Sequence, residues 1–327
     1  MARQSRSFIA GLLAAFALVT LWALPPRVGA QAPDAIRVAT GVDPVYAPWW
    51  VAEEKGFFKK YNLKADIKQF TGGPELSDAV MAGDVDFASS GTATLMPRIA
   101  RGNLVVLATI ITSANAFKMA VRAPINSFTD LRGKKVGTVG GSSTDYMWAL
   151  AAKKYGVPEG ELQIISIPPP ELIPAIDRGD IQAFLVWEPW ASRAVEISGK
   201  DKVKILLSSG DFGYYLNFIA VANRNFSDAK PDITARVLAA IRDAMNFINA
   251  SRPEAVQIGA KWSRIKPELA AYNMDIYTYA MSLTDEMRTA VKEEEAWMRS
   301  KGRIKGDPID WNKTIDPRFY QKALTLK

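Results

Sequence analysis

Residues 41–94 read GVDPVYAPWWVAEEKGFFKKYNLKADIKQFTGGPELSDAVMAGDVDFASSGTAT, and the order of strand and helix signals in them decides the fold. Just before them, Arg37 to Thr40 (RVAT) is a short β-prone run that breaks at Gly41-Val42-Asp43-Pro44. Trp49 to Phe58 predicts a helix that stops at Gly56. Leu63 to Phe70 alternates as a strand does, and Thr71-Gly72-Gly73 leads into a helix with Pro74 in its first turn. Asp84 to Ala88 reads as a third strand, ending in the loop Ser89-Ser90-Gly91-Thr92. Strands alternating with helices imply a parallel sheet, where ligands sit beyond the carboxyl ends of the strands. All three loops lie at such ends, and their residues suit gripping a small molecule.

A second set of signals repeats the plan. Ala116 to Arg122 reads as a strand, and Lys135 to Val139 opens a new unit. Helix Asp145 to Tyr155, strand Gln163 to Ile167, helix Glu171 to Asp177 and strand Ala183 to Val186 follow. Lys204 to Leu207 is a further strand, and Phe218 to Asn223 a return strand. Connections near Lys118–Arg122 and Asp211–Asn217 are read as a hinge. Beyond them the chain reads as helical: Val237, Leu238, Ile241, Met245 and Ile248 share one face, and Trp262, Trp297 and Trp311 read as core.

The 41–94 stretch resembles the start of an ABC-transporter substrate-binding protein of the nitrate/sulfonate/taurine group, which shares a fold with the thiamine-pyrimidine proteins. INSFTDLRGKKVGTVGGSST (Ile125 to Thr144), followed by AIDRGDIQAFLVWEPW (Ala175 to Trp190), continues the likeness, which spans roughly Arg37 to Asn249. The resemblance implies an α/β, two-lobed periplasmic-binding-protein fold with a hinge, each lobe a mainly parallel sheet flanked by helices, and a helical C-terminal region. Residues 36–118 and 218–327 would form one lobe and 122–211 the other. Implied partners are a small-molecule ligand and the membrane permease and ATPase of an importer.

The ends and composition narrow the field. Arg3 and Arg6 precede an apolar run from Phe8 to Leu24, and Val28-Gly29-Ala30 follows Pro25-Pro26, so residues 1–30 read as a cleavable signal peptide. The chain has no cysteine, hence no disulfide and no lipidated cysteine, which favours a soluble protein of the periplasm. It has no histidine either, which removes Ser-His-Asp triads, imidazole bases and zinc sites of usual make-up. No cofactor, metal or catalytic residue is expected. Losing Arg3, Arg6 and Arg27 would lower the net charge from +7 to about +4. That excess is spread along the chain, with no basic stripe, so nucleic acid is not an expected partner.

Candidate ligand contacts fall into three groups. Thr71, Ser89, Ser90 and Thr92, with Ser142, Ser143 and Thr144 of the Gly140–Thr144 loop, offer hydroxyls beside backbone N–H donors at helix starts. The alternative is that they only cap helices. Tyr46, Trp49, Trp187, Tyr214 and Tyr215 offer aromatic walls for a carbon skeleton, or else core packing. Asp43 and Glu188 offer negative charge, whereas no cation is nearer than Lys118 and Arg122. Asp145, three residues after Ser142, is read as a capping-box partner. The balance weakens bare anions such as nitrate and favours an amine-bearing ligand, with taurine fitting both charge pattern and resemblance. Two other readings stay open: a histidine-free enzyme using carboxylates such as Asp43 and Glu188, and a ligand sensor serving a membrane receptor.

Overall fold

The computed structural model describes residues 32–327, and the expected signal peptide lies outside them. The first sheet begins with β1 (Asp34–Thr40), α1 (Ala47–Glu54), α2 (Phe57–Lys60), β2 (Leu63–Gln69), α3 (Gly73–Ala82), β3 (Phe87–Gly91), α4 (Thr92–Ile99) and β4 (Leu104–Ser113). The second is built from β5 (Phe117–Arg122), β6 (Lys135–Thr138), α5 (Ser143–Lys154), β7 (Gln163–Ser166), α6 (Pro169–Arg178), β8 (Ala183–Trp187), α7 (Trp190–Ser198) and β9 (Val203–Ser208). The chain then returns through β10 (Leu216–Asn223), α8 (Arg224–Ala229), α9 (Pro231–Ala250), α10 (Arg252–Ser263) and α11 (Pro267–Asp275). It closes with β11 (Thr278–Ser282), α12 (Asp285–Ser300), α13 (Trp311–Thr314) and α14 (Pro317–Thr325).

The strand orders are β11-β4-β10-β3-β1-β2 and β7-β6-β8-β5-β9. Each sheet is mixed. Parallel β2-β1-β3 is extended by antiparallel β10, β4 and β11, and parallel β7-β6-β8 by antiparallel β5 and β9. Two βαβαβ units therefore stand as read, and their strand ends place both sets of loops for a shared site.

Four local readings change. β4 escaped notice because LVVLATIITS is nearly continuous apolar residues without alternation, as befits a strand covered on both faces. Its buried leucines, valines and isoleucines contribute about 1.5–3 kcal/mol each. β11 interrupts the C-terminal stretch read as wholly helical and pairs with the edge of β4. The third strand runs on through Ser89-Ser90-Gly91, read as loop, because these residues pair with β10. Lys118–Arg122, read as a hinge connection, lies inside β5, and the chain crosses between sheets at residues 114–116 and 209–215.

The C-terminal helices cover the first unit. α9 presents Val237, Leu238, Ile241, Met245 and Ile248 to the interior, as the helical spacing predicts. Trp262 stacks on Trp50 of α1 at 5.8 Å, and buried Trp311 donates to Glu295 at 2.8 Å. No helix among the described residues is long and apolar enough to cross a membrane.

Candidate functional site

A cavity of about 40 Å³ lies where the carboxyl ends of both parallel units meet. That is room for roughly three waters. The first unit contributes Asp43 and Tyr46 after β1, Thr71 to Gly73 after β2, and Ser90, Gly91 and Thr94 at the β3–α4 junction. The second contributes Ser143 and Trp187, the first crossing adds Ala116, and β10 adds Leu216.

Three helix N-termini supply its polar end. α3 starts at Gly73 after Gly72, α4 at Thr92 after Gly91, and neither has a side-chain cap. α5 starts at Ser143, with Ser142 accepting the Thr144 N–H. The α3 and α4 ends carry unpaired N–H groups and the positive pole of the helix dipole, which attract an anionic group. The first N–H groups of α5 are instead bonded to Thr94 Oγ1, Ser142 Oγ and the Ser142 carbonyl, so α5 adds its dipole alone. Glycine is needed here for close approach. A Cβ on Gly73 would fall 2.9 Å from Ser90 Oγ, and one on Gly91 would fall 2.8 Å from Ser143 Oγ. Thr94 joins the two units, its Oγ1 accepting the Ser143 N–H at 2.9 Å and sharing a 3.0 Å hydrogen bond with Ser143 Oγ.

The opposite charge sits on Asp43. Its carboxylate accepts the Trp187 Nε1 hydrogen bond at 2.7 Å, a second link between the units. Asp43 is only 4% exposed, and burial pushes its pKa up to about 7 against the lowering effect of that bond. Tyr46, Phe117, Phe218 and Tyr277 form apolar walls, and no lysine or arginine lines the cavity. The arrangement offers an anion site, an amine site and a short apolar passage between them.

Of the predicted contacts, Asp43, Tyr46, Thr71, Ser90, Ser143 and Trp187 line this cavity. The rest do not. Trp49 is fully buried and donates to Ser89 Oγ at 3.0 Å, so the two satisfy each other behind the wall. Thr92 donates to Glu294 at 2.8 Å, and Thr144 bonds Thr138. Ser142 is spent on capping α5. Tyr214 and Tyr215 line a different groove, Tyr214 buried edge-on to Phe117 and Tyr215 65% exposed.

Glu188 needs the firmest correction. It is 0% exposed, does not line the cavity, and accepts from Ser192 N and Oγ at 3.0 and 2.7 Å. Lys118 Nζ stands 3.2 Å away and also bonds Tyr272 of α11. Its charge is already matched, so it is no counter-charge for a ligand. Asp145 also differs from the capping-box reading. It accepts the Gly141 N–H at 2.9 Å and pairs with Arg303 at 2.6 Å.

Sequence reasoning missed Thr94, Phe117, Leu216, Phe218 and Tyr277. Thr94 had a signal, since a helix starting at Thr92 puts it in the first turn. Tyr277 had none, because β11 beside it was unrecognised.

A family model described as NMT1/THI5 like matches residues 43–255. A putative binding protein of Brucella abortus strain 2308 is 28% identical over 219 residues, covering 66% of this chain and 67% of that protein. The taurine-binding periplasmic protein of Escherichia coli K12 is 24% identical over 307 residues, covering 88% of this chain and 94% of that protein. Among solved structures, the periplasmic aliphatic sulphonate binding protein SsuA of Escherichia coli superposes with a TM-score of 0.75 at 21% identity. That match covers 88% of this chain and 99% of SsuA.

Proposed function

The chain belongs to the NMT1/THI5-like family, and on that premise we propose that it is the solute-binding component of an ABC importer, capturing a small zwitterion of the taurine kind. One observation carries this reading: helix N-termini and a buried Asp43 without a salt-bridge partner among the described residues line the same cavity. A sulfonate accepts from backbone N–H groups and the hydroxyls of Thr71, Ser90 and Ser143. The ammonium takes Asp43. The two-carbon spacer crosses between Tyr46 and Trp187. A relative named for taurine and a neighbour named for aliphatic sulphonates support the class.

In this account the protein works in the periplasm after its signal peptide is removed, and a membrane permease and ATPase receive the cargo. The two sheets are the cores of two lobes that divide at the crossings. A ligand touching both lobes favours the closed arrangement, which the transporter distinguishes from the open one. Binding without turnover fits a chain lacking histidine, in which the Asp43 carboxyl is engaged by the Trp187 Nε1 hydrogen bond.

A thermal-shift panel of taurine, ethanesulfonate, β-alanine and nitrate tests the reading. A ligand at about a hundred times its dissociation constant adds roughly 2.7 kcal/mol, a shift of several degrees. Taurine should give the largest shift. A larger shift with nitrate, or none with any member, would overturn the zwitterion assignment.

Gly91→Ala should weaken this binding about tenfold, since overpacking costs about 1–3 kcal/mol and here falls on the Gly91–Ser143 approach. Gly91 has an ordinary φ of −62°, so backbone strain does not contribute. Calorimetric titration of taurine reads the effect, and an unchanged affinity would mean that the units need not approach so closely.

A further inference from the structure

We propose that the open groove beside the two crossings is a second binding site, taking an elongated organic cation that carries two amines. The groove encloses about 780 Å³, within the usual range for small-molecule sites. It runs along α12, past the end of β4 at Thr112 to Ala114 and past Gly213 to Asn217, where the second crossing enters β10. Its charged lining is wholly acidic. Asp285, Glu286, Glu293 and Glu294 face it, and no lysine or arginine does.

Helix capping accounts for part of this acidity, because Asp285 and Glu286 sit in the first turn of α12. It does not account for Glu294. That residue is 3% exposed, accepts the Thr92 hydroxyl at Oε1, and leaves Oε2 buried without a hydrogen-bond partner. A buried polar atom without a partner is costly, and a donor brought in by a ligand would satisfy it. The rings of Tyr146, Tyr214 and Tyr215 on the facing walls suit an ammonium and its methylene chain.

The spacing selects the shape of the ligand. Two acidic pairs eight residues apart on one helix stand roughly 12 Å apart along its axis. A bare metal ion is disfavoured, since no cluster of three or more His, Cys, Asp or Glu among the described residues could hold one. A chain with an amine at each end reaches both pairs at once, and its methylenes suit the tyrosines that share the lining.

The test is calorimetric titration of the purified protein with 1,8-diaminooctane, 1-aminooctane, ethylenediamine and magnesium ion. The long diamine should bind one to one, with the monoamine and the short diamine about tenfold weaker or worse. Glu293→Gln with Glu294→Gln should weaken it about tenfold. Should that pair of changes fail to fold, Glu293→Gln alone and Tyr215→Ala, at exposed positions, should each lower affinity. Saturating taurine should leave the diamine isotherm in place. Absence of binding to protein with a normal melting curve would overturn the proposal. So would equal binding of the monoamine or magnesium, indifference to every variant, or displacement by taurine.

Discussion

Lys118→Met is expected to lower folding stability by about 3–5 kcal/mol, the cost of leaving a buried charge without its partner. Glu188 is 0% exposed and Lys118 8%, with 3.2 Å between the ammonium and the carboxylate. Methionine keeps most of the side chain's volume but not the charge. Glu188 would retain its two Ser192 hydrogen bonds and lose its neighbouring cation. The same lysine reaches Tyr272 of α11, tying the C-terminal helices to the second sheet, so that contact goes too. The double variant Lys118→Met with Glu188→Leu removes both charges and should recover much of the loss. Urea midpoints at constant slope give the numbers. A single-variant cost below about 1 kcal/mol would mean that Glu188 is not buried as a charge, and its role as a ligand contact would reopen.

Asp43→Asn should weaken taurine binding about tenfold to a hundredfold, because a hydrogen bond to a charged group is worth about 1.5–3 kcal/mol. Ethanesulfonate, which has no amine, should bind the variant at least as well as the wild type. Asparagine can still accept the Trp187 Nε1 hydrogen bond, so the loop should keep its place. The pH dependence separates charge from shape. Burial raises the Asp43 pKa to about 7, so the carboxyl is largely neutral at pH 6 and largely ionised at pH 8. Affinity for an ammonium should therefore rise about tenfold over that interval, as the carboxylate forms. Glu294, bonded to Thr92 at the start of α4, is pushed up to about 8 by its own burial. Asp43→Asn should erase the rise in taurine affinity with pH. A flat profile in the wild type would contradict the role given to Asp43.

Both βαβαβ units were legible because Gly, Pro and Ser punctuate every strand end, and the change from two-residue to helical period is sharp at 63–82. Position at a carboxyl strand end was enough to place Asp43, Tyr46, Thr71, Ser90, Ser143 and Trp187 along one cavity. The same rule could not separate Ser89 from Ser90, since neighbours on a strand point to opposite faces and only the register with β10 decides which faces the cavity. Glu188 shows the same limit in charge. Its partner Lys118 comes from another strand, and adjacency across β5 and β8 is a fact of pairing that no local pattern carries. β4 was silent for the reason that makes it central: a strand covered on both faces carries no alternation of polar residues to mark its period.

The most direct measurement is a crystal structure of the protein with taurine bound. The account predicts the sulfonate oxygens at the N-termini of α3, α4 and α5, within hydrogen-bond reach of Ser90 and Ser143, and the ammonium against the Asp43 carboxylate. Taurine held the other way round, with its amine turned away from Asp43, or bound outside this cavity, would contradict it.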